Sequence, residues 1–342
     1  MTIIAFYFPH PPPGVCLDTR YCGFGGGFGH KSTGAVAFRE KVVYNETITI
    51  QEVFSMANDW DRDNDISLLE VFDITTGERK TLARFDYLIE APNWTPDGKY
   101  LIYNSRGRLH RFCLETLTST PIESGFANDC NNDHVLSPDG KHIAISHSQP
   151  GEWSRIYIIP MEGGEPRLIT PKAPSYLHGW NRGRLCYCAF RENSRDGDIF
   201  DISEDGGEER QLTFAPGLND GPEYDPTGEY IWFNSVRTGL MQAWRMKADG
   251  SEQTQMTFDE DLNTWFPHVS PDGKKVCMLS YRKGDLLPHE HVPHRNVELR
   301  LMDADGSNLR TLTTLFGGQG TINVNSWSPD STRFAFVSYI LP

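Results

Sequence analysis

One phrase recurs along this chain and restricts its fold more than any other feature. It runs W-T-P-D-G-K-Y-L-I-Y-N-S from Trp94, L-S-P-D-G-K-H-I-A-I-S from Leu136 and Y-D-P-T-G-E-Y-I-W-F-N-S from Tyr224. It returns as V-S-P-D-G-K-K-V-C-M-L-S from Val269 and W-S-P-D-S-T-R-F-A-F-V-S from Trp327, with a degenerate copy, W-N-R-G-R-L-C-Y-C, from Trp180. The turn glycines Gly98, Gly140, Gly183, Gly228 and Gly273 follow one another at 42, 43, 45 and 45 residues, and the step to Ser331, the matching position of the last copy, is 58. A period of that size is one four-stranded propeller blade.

The chemistry of the unit agrees. Proline presets φ, aspartate bonds its own backbone and glycine supplies φ > 0, so S-P-D-G is a hairpin turn. The residues after it are apolar and β-branched, as a buried strand requires. A second turn follows in most units, at Thr75–Gly77, Glu162–Gly164, Glu204–Gly207, Ala248–Gly250 and Ala304–Gly306. Two hairpins, A–B and C–D, thus make one blade. Residues 66–86 supply a C–D hairpin with no A–B partner before it, and residues 322–340 an A–B hairpin with nothing after it. Joined, they complete a blade from both ends and remove the exposed sheet edge. The expected fold is all-β: a six-bladed β-propeller of four-stranded antiparallel blades over residues 66–342, closed by 66–86 and 322–340. Residues 1–65 are an irregular N-terminal extension.

These repeats resemble the WD40-like repeats of TolB-type propellers. The stretches from Leu88 to Gly98, Asn131 to Gly140, Asn234 to Gly250 and Gly317 to Asp330 are similar to a stand-alone bacterial subgroup that lacks the TolB N-terminal domain. The resemblance covers about residues 66 to 340. It implies a binding or scaffold protein that takes a small ligand or a peptide segment at the channel mouth. Prolyl-oligopeptidases also carry propellers, but the first 65 residues are too few for a hydrolase domain and no G-x-S-x-G elbow occurs.

Composition narrows the partners. A formal charge of −14 on 342 residues argues against nucleic acid, whose phosphates demand clustered Lys and Arg. No apolar run of about 18 residues exists, so no membrane insertion is expected. The N-terminus lacks the basic and apolar regions of a signal peptide, and the seven cysteines show no paired spacing. Reduced thiols and a cytoplasmic location are the expectation. Cys186 and Cys188 alternate on one strand, where a bridge is rare.

The N-terminal stretch offers one metal pattern. Asp59, Asp61, Asp63, Asn64, Asp65, Ile66 and Glu70 match the spacing of an EF-hand loop, with Asn where Gly belongs. Yet Ile66 to Asp73 is needed as a blade strand, from which Glu70 cannot swing back. A solvated acidic loop is the preferred reading over a calcium site at Asp59–Glu70.

Topology then sorts the polar residues. The B–C and D–A loops lie opposite the S-P-D-G turns, so residues two and four before the Trp position stand at one mouth and, by period two, on one face of strand A. They are Glu90 and Pro92, Asn132 and His134, Tyr176 and His178, Asp220 and Pro222, Trp265 and Pro267, Asn323 and Asn325. B–C loops on that side add Arg106, Arg191, Arg195, Arg237 and Arg282. The 58-residue step falls in the sixth blade's B–C loop, whose insertion carries His289, His291 and His294. Long loops in compact folds are commonly functional. Singly, each residue has a plain structural reading: a hydrogen-bonded strand histidine, a capping loop, a surface arginine. Together, arginine, imidazole and carboxylate suit an anionic or polyhydroxylated ligand.

Two functions follow. The first is the binding protein, with Glu90, Asn132, Asp220, Asn323, Asn325 and Arg282 as ligand contacts. The second is a metal-dependent carbohydrate enzyme, because oligogalacturonate lyases are similar S-P-D-G propellers with a His-bound metal at the mouth. That resemblance implies His178 or His134 as base, Arg237 on the uronate carboxylate, and His289, His291 and His294 around a divalent transition metal such as Mn, Zn or Ni.

Overall fold

A computed structural model describes residues 65–191 and 196–340. They form six antiparallel sheets and, among the described residues, no helix. We number the blades from the closing one. Its strand C is Ile66–Asp73, its strand D Arg79–Phe85 and its strand B Arg333–Ile340, hydrogen-bonded in the order D–C–B. Blades two to six begin at Glu90, Cys130, Ser175, Asn219 and Leu262, and each runs through four sequential strands.

The closure joins the two sequence ends. Ile66 pairs with Ile340 and Asp73 with Arg333, in an eight-residue ladder without a break. Leu69, Phe334, Ala335, Phe336 and Val337 are fully buried there. The innermost segment of this blade departs from the expected strand. Residues 321–327 form no regular ladder with strand B, which they meet through a single bridge from Trp327 to Phe334, the backbone bonds Ala335 N–Ser326 O (3.0 Å) and Val337 N–Thr321 O (3.1 Å), and the Ser326 hydroxyl on Ala335 O (2.6 Å).

The repeated turn works as its chemistry requires. Thr95, Ser137 and Ser270 donate their hydroxyls to the turn aspartates Asp97, Asp139 and Asp272 at 2.6, 2.7 and 2.7 Å, and the same carboxylates accept the amides of Lys99, Lys141 and Lys274. In blade five the two residues are exchanged: Thr227 donates to Asp225. The D-P-T-G copy is therefore the same turn with donor and acceptor swapped. In the last copy Ser331 adopts φ 61° in place of glycine.

Of the cation pattern, Asp59, Asp61, Asp63 and Asn64 lie outside the described residues. Ile66 and Glu70 are strand residues, and Glu70 is buried, held by Arg79 at 2.7 Å through both carboxylate oxygens and by Ser338. The residue expected to close a calcium loop is thus committed to the closing blade. The cysteines of the described residues are free thiols, Cys186 and Cys188 included.

Candidate functional site

The inner strands are not regular at the mouth. In blades two, five and six, two residues of strand A oppose one of strand B, with the register shifting between Glu90 and Asn93, Asp220 and Glu223, and Trp265 and His268. The three bulges share a sequence: Ala91-Pro92, Gly221-Pro222 and Phe266-Pro267. The residue before each proline has positive φ, 54°, 59° and 54°. Proline cannot donate to the ladder and restricts its predecessor, so the strand bulges at this step. Blades three and four shift register too, around Asn131–Asp133 and at His178. Each bulge inserts residues and so interrupts the strict period of two on which the shared face of positions two and four before the Trp was expected.

The bulges produce two polar clusters. At the mouth, Asp133, Tyr176, His178, Cys188, Asp220, His291 and Gln319 enclose a small cavity. All are at least nine-tenths buried. Asp220 lies between two imidazoles: His178 Nε2 stands 3.2 Å from Oδ1 and His291 Nε2 3.6 Å from Oδ2. Burial works against the Asp220 charge, but the two histidines outweigh it and hold the carboxyl well below the usual range. Burial pushes Asp133 up, and the nearby Asp220 charge adds to that. For His178, burial favours the neutral ring, yet Asp133 and Asp220 together raise its pKa. The Nδ1 atoms of His178 and His291 are buried and have no hydrogen-bond partner. Phe266, forced to positive φ, packs against both rings, stacked on His178 at 6.0 Å and edge-on to His291 at 5.3 Å.

Glycines seat the loop that carries Gln319. A Cβ on Gly318 would stand 2.2 Å from Val292 O, and one on Gly320 2.8 Å from both the Glu90 side chain and the Tyr339 hydroxyl. Only glycine lets this loop pass between the His291–His294 insertion and blade two.

The second cluster joins blades five, six and one. Glu223 Oε2 lies 2.5 Å from His268 Nδ1, while His268 Nε2 meets the carbonyl of Ile322. Glu223 Oε1 accepts the Val269 amide (3.0 Å) and the Asn325 side-chain amide (2.6 Å).

Of the residues singled out from sequence, Tyr176, His178, Asp220 and His291 meet in the cavity. Asn323 holds the Gln319 loop by accepting the Gly320 amide (2.8 Å), and Asn325 belongs to the second cluster. Asn132 is buried, and Glu90 sits at the edge of the Gln319 loop. His134 is fully buried, its Nε2 3.4 Å from Ile102 O, with its pKa pushed down to about 4 by burial; it does not line the cavity. None of the described arginines lines the cavity. Arg237 is bound to Ser235, Asn219 and Gln253 and lies over the Trp244 ring at 4.6 Å. Arg191 is bound to Glu209, Ser175 and Pro174 O. Arg106 and Arg282 are exposed, and Arg195 lies outside the described residues. The three insertion histidines separate as well: His289 is exposed, His291 faces Asp220, and His294 stands 2.9 Å from Asp65 and stacks on Phe316. They do not fit a shared metal shell, and among the described residues no three His, Cys, Asp or Glu side chains are grouped to hold an ion.

Asp133, Gln319, Glu223 and His268 were not singled out from sequence, and Cys188 was noted there only as a thiol beside Cys186. The A-P, G-P and F-P dipeptides were the available signal for the bulges, and the G-G-Q-G run for the loop.

No protein-family model matches the chain. An uncharacterized protein of Agrobacterium fabrum is 46% identical over 276 residues, covering 80% of this chain and 92% of that one. The provisionally named TolB of Agrobacterium tumefaciens, a solved structure, superposes with a TM-score of 0.77 at 45% identity over 81% of this chain and 99% of its own. The Tol-Pal system protein TolB of Francisella tularensis is 25% identical over 72% of this chain, which spans 56% of that protein's length. The repeats, the six-bladed closure and the similarity along nearly the whole of two relatives agree: the chain belongs to the TolB-like family of six-bladed β-propellers.

Proposed function

We propose that this propeller is a binding protein whose channel mouth holds a polar group, carried by a small molecule or by a peptide segment, in the cavity between Asp133, His178, Asp220 and His291. One observation carries the reading. Two imidazole nitrogens in one cavity are nine-tenths buried without a partner, beside a carboxylate held in its ionised form. Buried polar atoms left unpaired cost about 1–3 kcal/mol each, so a ligand that satisfies them gains that much. Concave sites with a few convergent polar groups are where small ligands bind. The Francisella relatives bear the name of a Tol-Pal system protein, which favours a polypeptide as the source of the group.

The lyase alternative draws on a metal shell at His289, His291 and His294 and on Arg237 at the mouth, and neither set of side chains gathers there. The binding reading needs neither.

The test is a thermal-shift comparison across polar small molecules and short peptides, using the full chain, Asp220→Asn and His291→Gln. A compound that raises the melting temperature of the parent but of neither variant supports the reading. Equal shifts in all three proteins would place the ligand elsewhere and overturn it.

A further inference from the structure

Resting on that reading, we infer that the group seated in the mouth cavity is a protonated primary amine. Hydrogen-bond polarity argues it first. Each Nε2 of His178 and His291 faces the ionised Asp220 carboxylate, so each Nε2 carries a proton. With Nε2 protonated, Nδ1 is a lone-pair acceptor whenever the ring is neutral, which for His178 requires a pH above the pKa that Asp133 and Asp220 raise. Asp133 adds a second carboxylate, and the Gln319 amide carries both an acceptor and a donor. The lining is therefore rich in acceptors, while no Arg or Lys is among its residues. An ammonium group presents three N–H donors and nothing else, which matches this set.

Charge points the same way. With Asp133 and Asp220 ionised, two carboxylates face two imidazoles, and the enclosure is negative unless both rings are protonated. An anion would require both imidazoles to be charged as well as a new buried negative group. Burial, and after it the Asp220 charge, raise the Asp133 pKa, and a cation relieves the repulsion between the two carboxylates. Size excludes larger cations and rings. The enclosed space admits little more than a group the size of a water molecule. A primary ammonium head has that size; a guanidinium, a carboxylate or a sugar ring does not. Tyr176 adds an aromatic ring to the lining, and aromatic faces attract ammonium groups. A protein of formal charge −14 draws such ligands toward it at long range.

Two sources supply this head group: a free alkylamine, or a lysine side chain of a peptide inserted from the mouth. The pH dependence follows from competition for the same atoms. His178 faces Asp133 and Asp220, with His291, Tyr176 and Cys188 beside it. When its Nδ1 is protonated it repels the ammonium, so affinity must rise with pH, by up to about tenfold per unit while that ring titrates.

The experiment is calorimetric titration of the full chain at pH 6 and pH 8 with n-butylamine, Nα-acetyl-lysine methylamide, butyrate and n-butanol. We expect both amines to bind, more tightly at pH 8, with butyrate and butanol at least about tenfold weaker. Tighter binding by the lysine derivative than by butylamine assigns the source to a peptide. Asp133→Asn is expected to weaken amine binding by at least about tenfold; should that variant not fold, Gln319→Leu, in the loop, is expected to weaken it as well. Butyrate or butanol binding as tightly as the amines, or amine affinity falling with pH, overturns the inference while leaving a ligand site at the mouth. No binding by any of the four probes overturns the inference and the proposed function together.

Discussion

The Nδ1 atom of His268 lies 2.5 Å from Oε2 of Glu223, and the opposite ring nitrogen faces the carbonyl of Ile322. An imidazole facing a carbonyl must donate to it through Nε2, and a hydrogen bond joins Nδ1 to the Glu223 carboxyl. The pair ties blade six to blade five and to the irregular inner segment of the closing blade. That segment has few ladder bonds of its own, and His268 with Asn325 fixes it in place.

Breaking the pair from one side should therefore loosen the closure. His268→Ala leaves Glu223 buried without its histidine partner and is expected to cost about 3–5 kcal/mol in denaturant unfolding. Glu223→Gln keeps a side-chain amide that donates to Nδ1, so its loss should be smaller. Equal losses in the two variants would show that the Nδ1–Glu223 hydrogen bond is not what holds the closure.

Glu209 sets an acid limit on blade four. Burial raises its carboxyl pKa, but Arg191, Lys172 and the Tyr187 hydroxyl outweigh this and bring it to about 2. A carboxyl lowered in the folded state contributes stability that is fully present above its unfolded value, about 4.3, and is lost as pH falls toward 2. The melting temperature of the parent should drop across that window. Arg191→Met should flatten this part of the profile and lower stability at pH 7. An unchanged acid profile in the variant would mean that other carboxylates govern it.

Gly318 bears on the site rather than on the blades. An added Cβ would collide with Val292 O at 2.2 Å, and the φ of 122° disfavours any side chain. Gly318→Ala should shift the Gln319 loop away from the His291 insertion. We expect about 1–3 kcal/mol of destabilisation together with loss of ligand-induced melting shifts. Retained ligand shifts would mean that Gln319 takes no part in binding.

The fold was legible because its information is repeated. Each S-P-D-G turn writes the same hydroxyl–aspartate bond into sequence, and even the exchanged Asp225–Thr227 copy keeps the spacing. The closing blade followed from the unpaired hairpins at 66–86 and 322–340, although the irregularity of 321–327 did not, since it depends on contacts with His268 and Glu223 from other blades. The site was legible only in part. Tyr176, His178 and Asp220 were found because they precede the repeat at fixed distances, and His291 because its loop breaks the period. Asp133 was passed over because a period of two assigned the face to Asn132 and His134, and the bulge reverses that choice. Arginines were placed at the mouth by loop position alone. A loop position does not say where a long side chain ends, and Arg237 folds back onto Trp244.

In the proposed function, His178 and His291 act as one ligand site. Long-range nitrogen–proton NMR of the histidine rings reads this without assuming what the ligand is. On titration with the tightest-binding probe, the Nδ1 resonances of His178 and His291 should move together with a single dissociation constant, while that of the exposed His142 stays fixed. Movement of His142 alone, or of neither cavity ring at saturation, would contradict it.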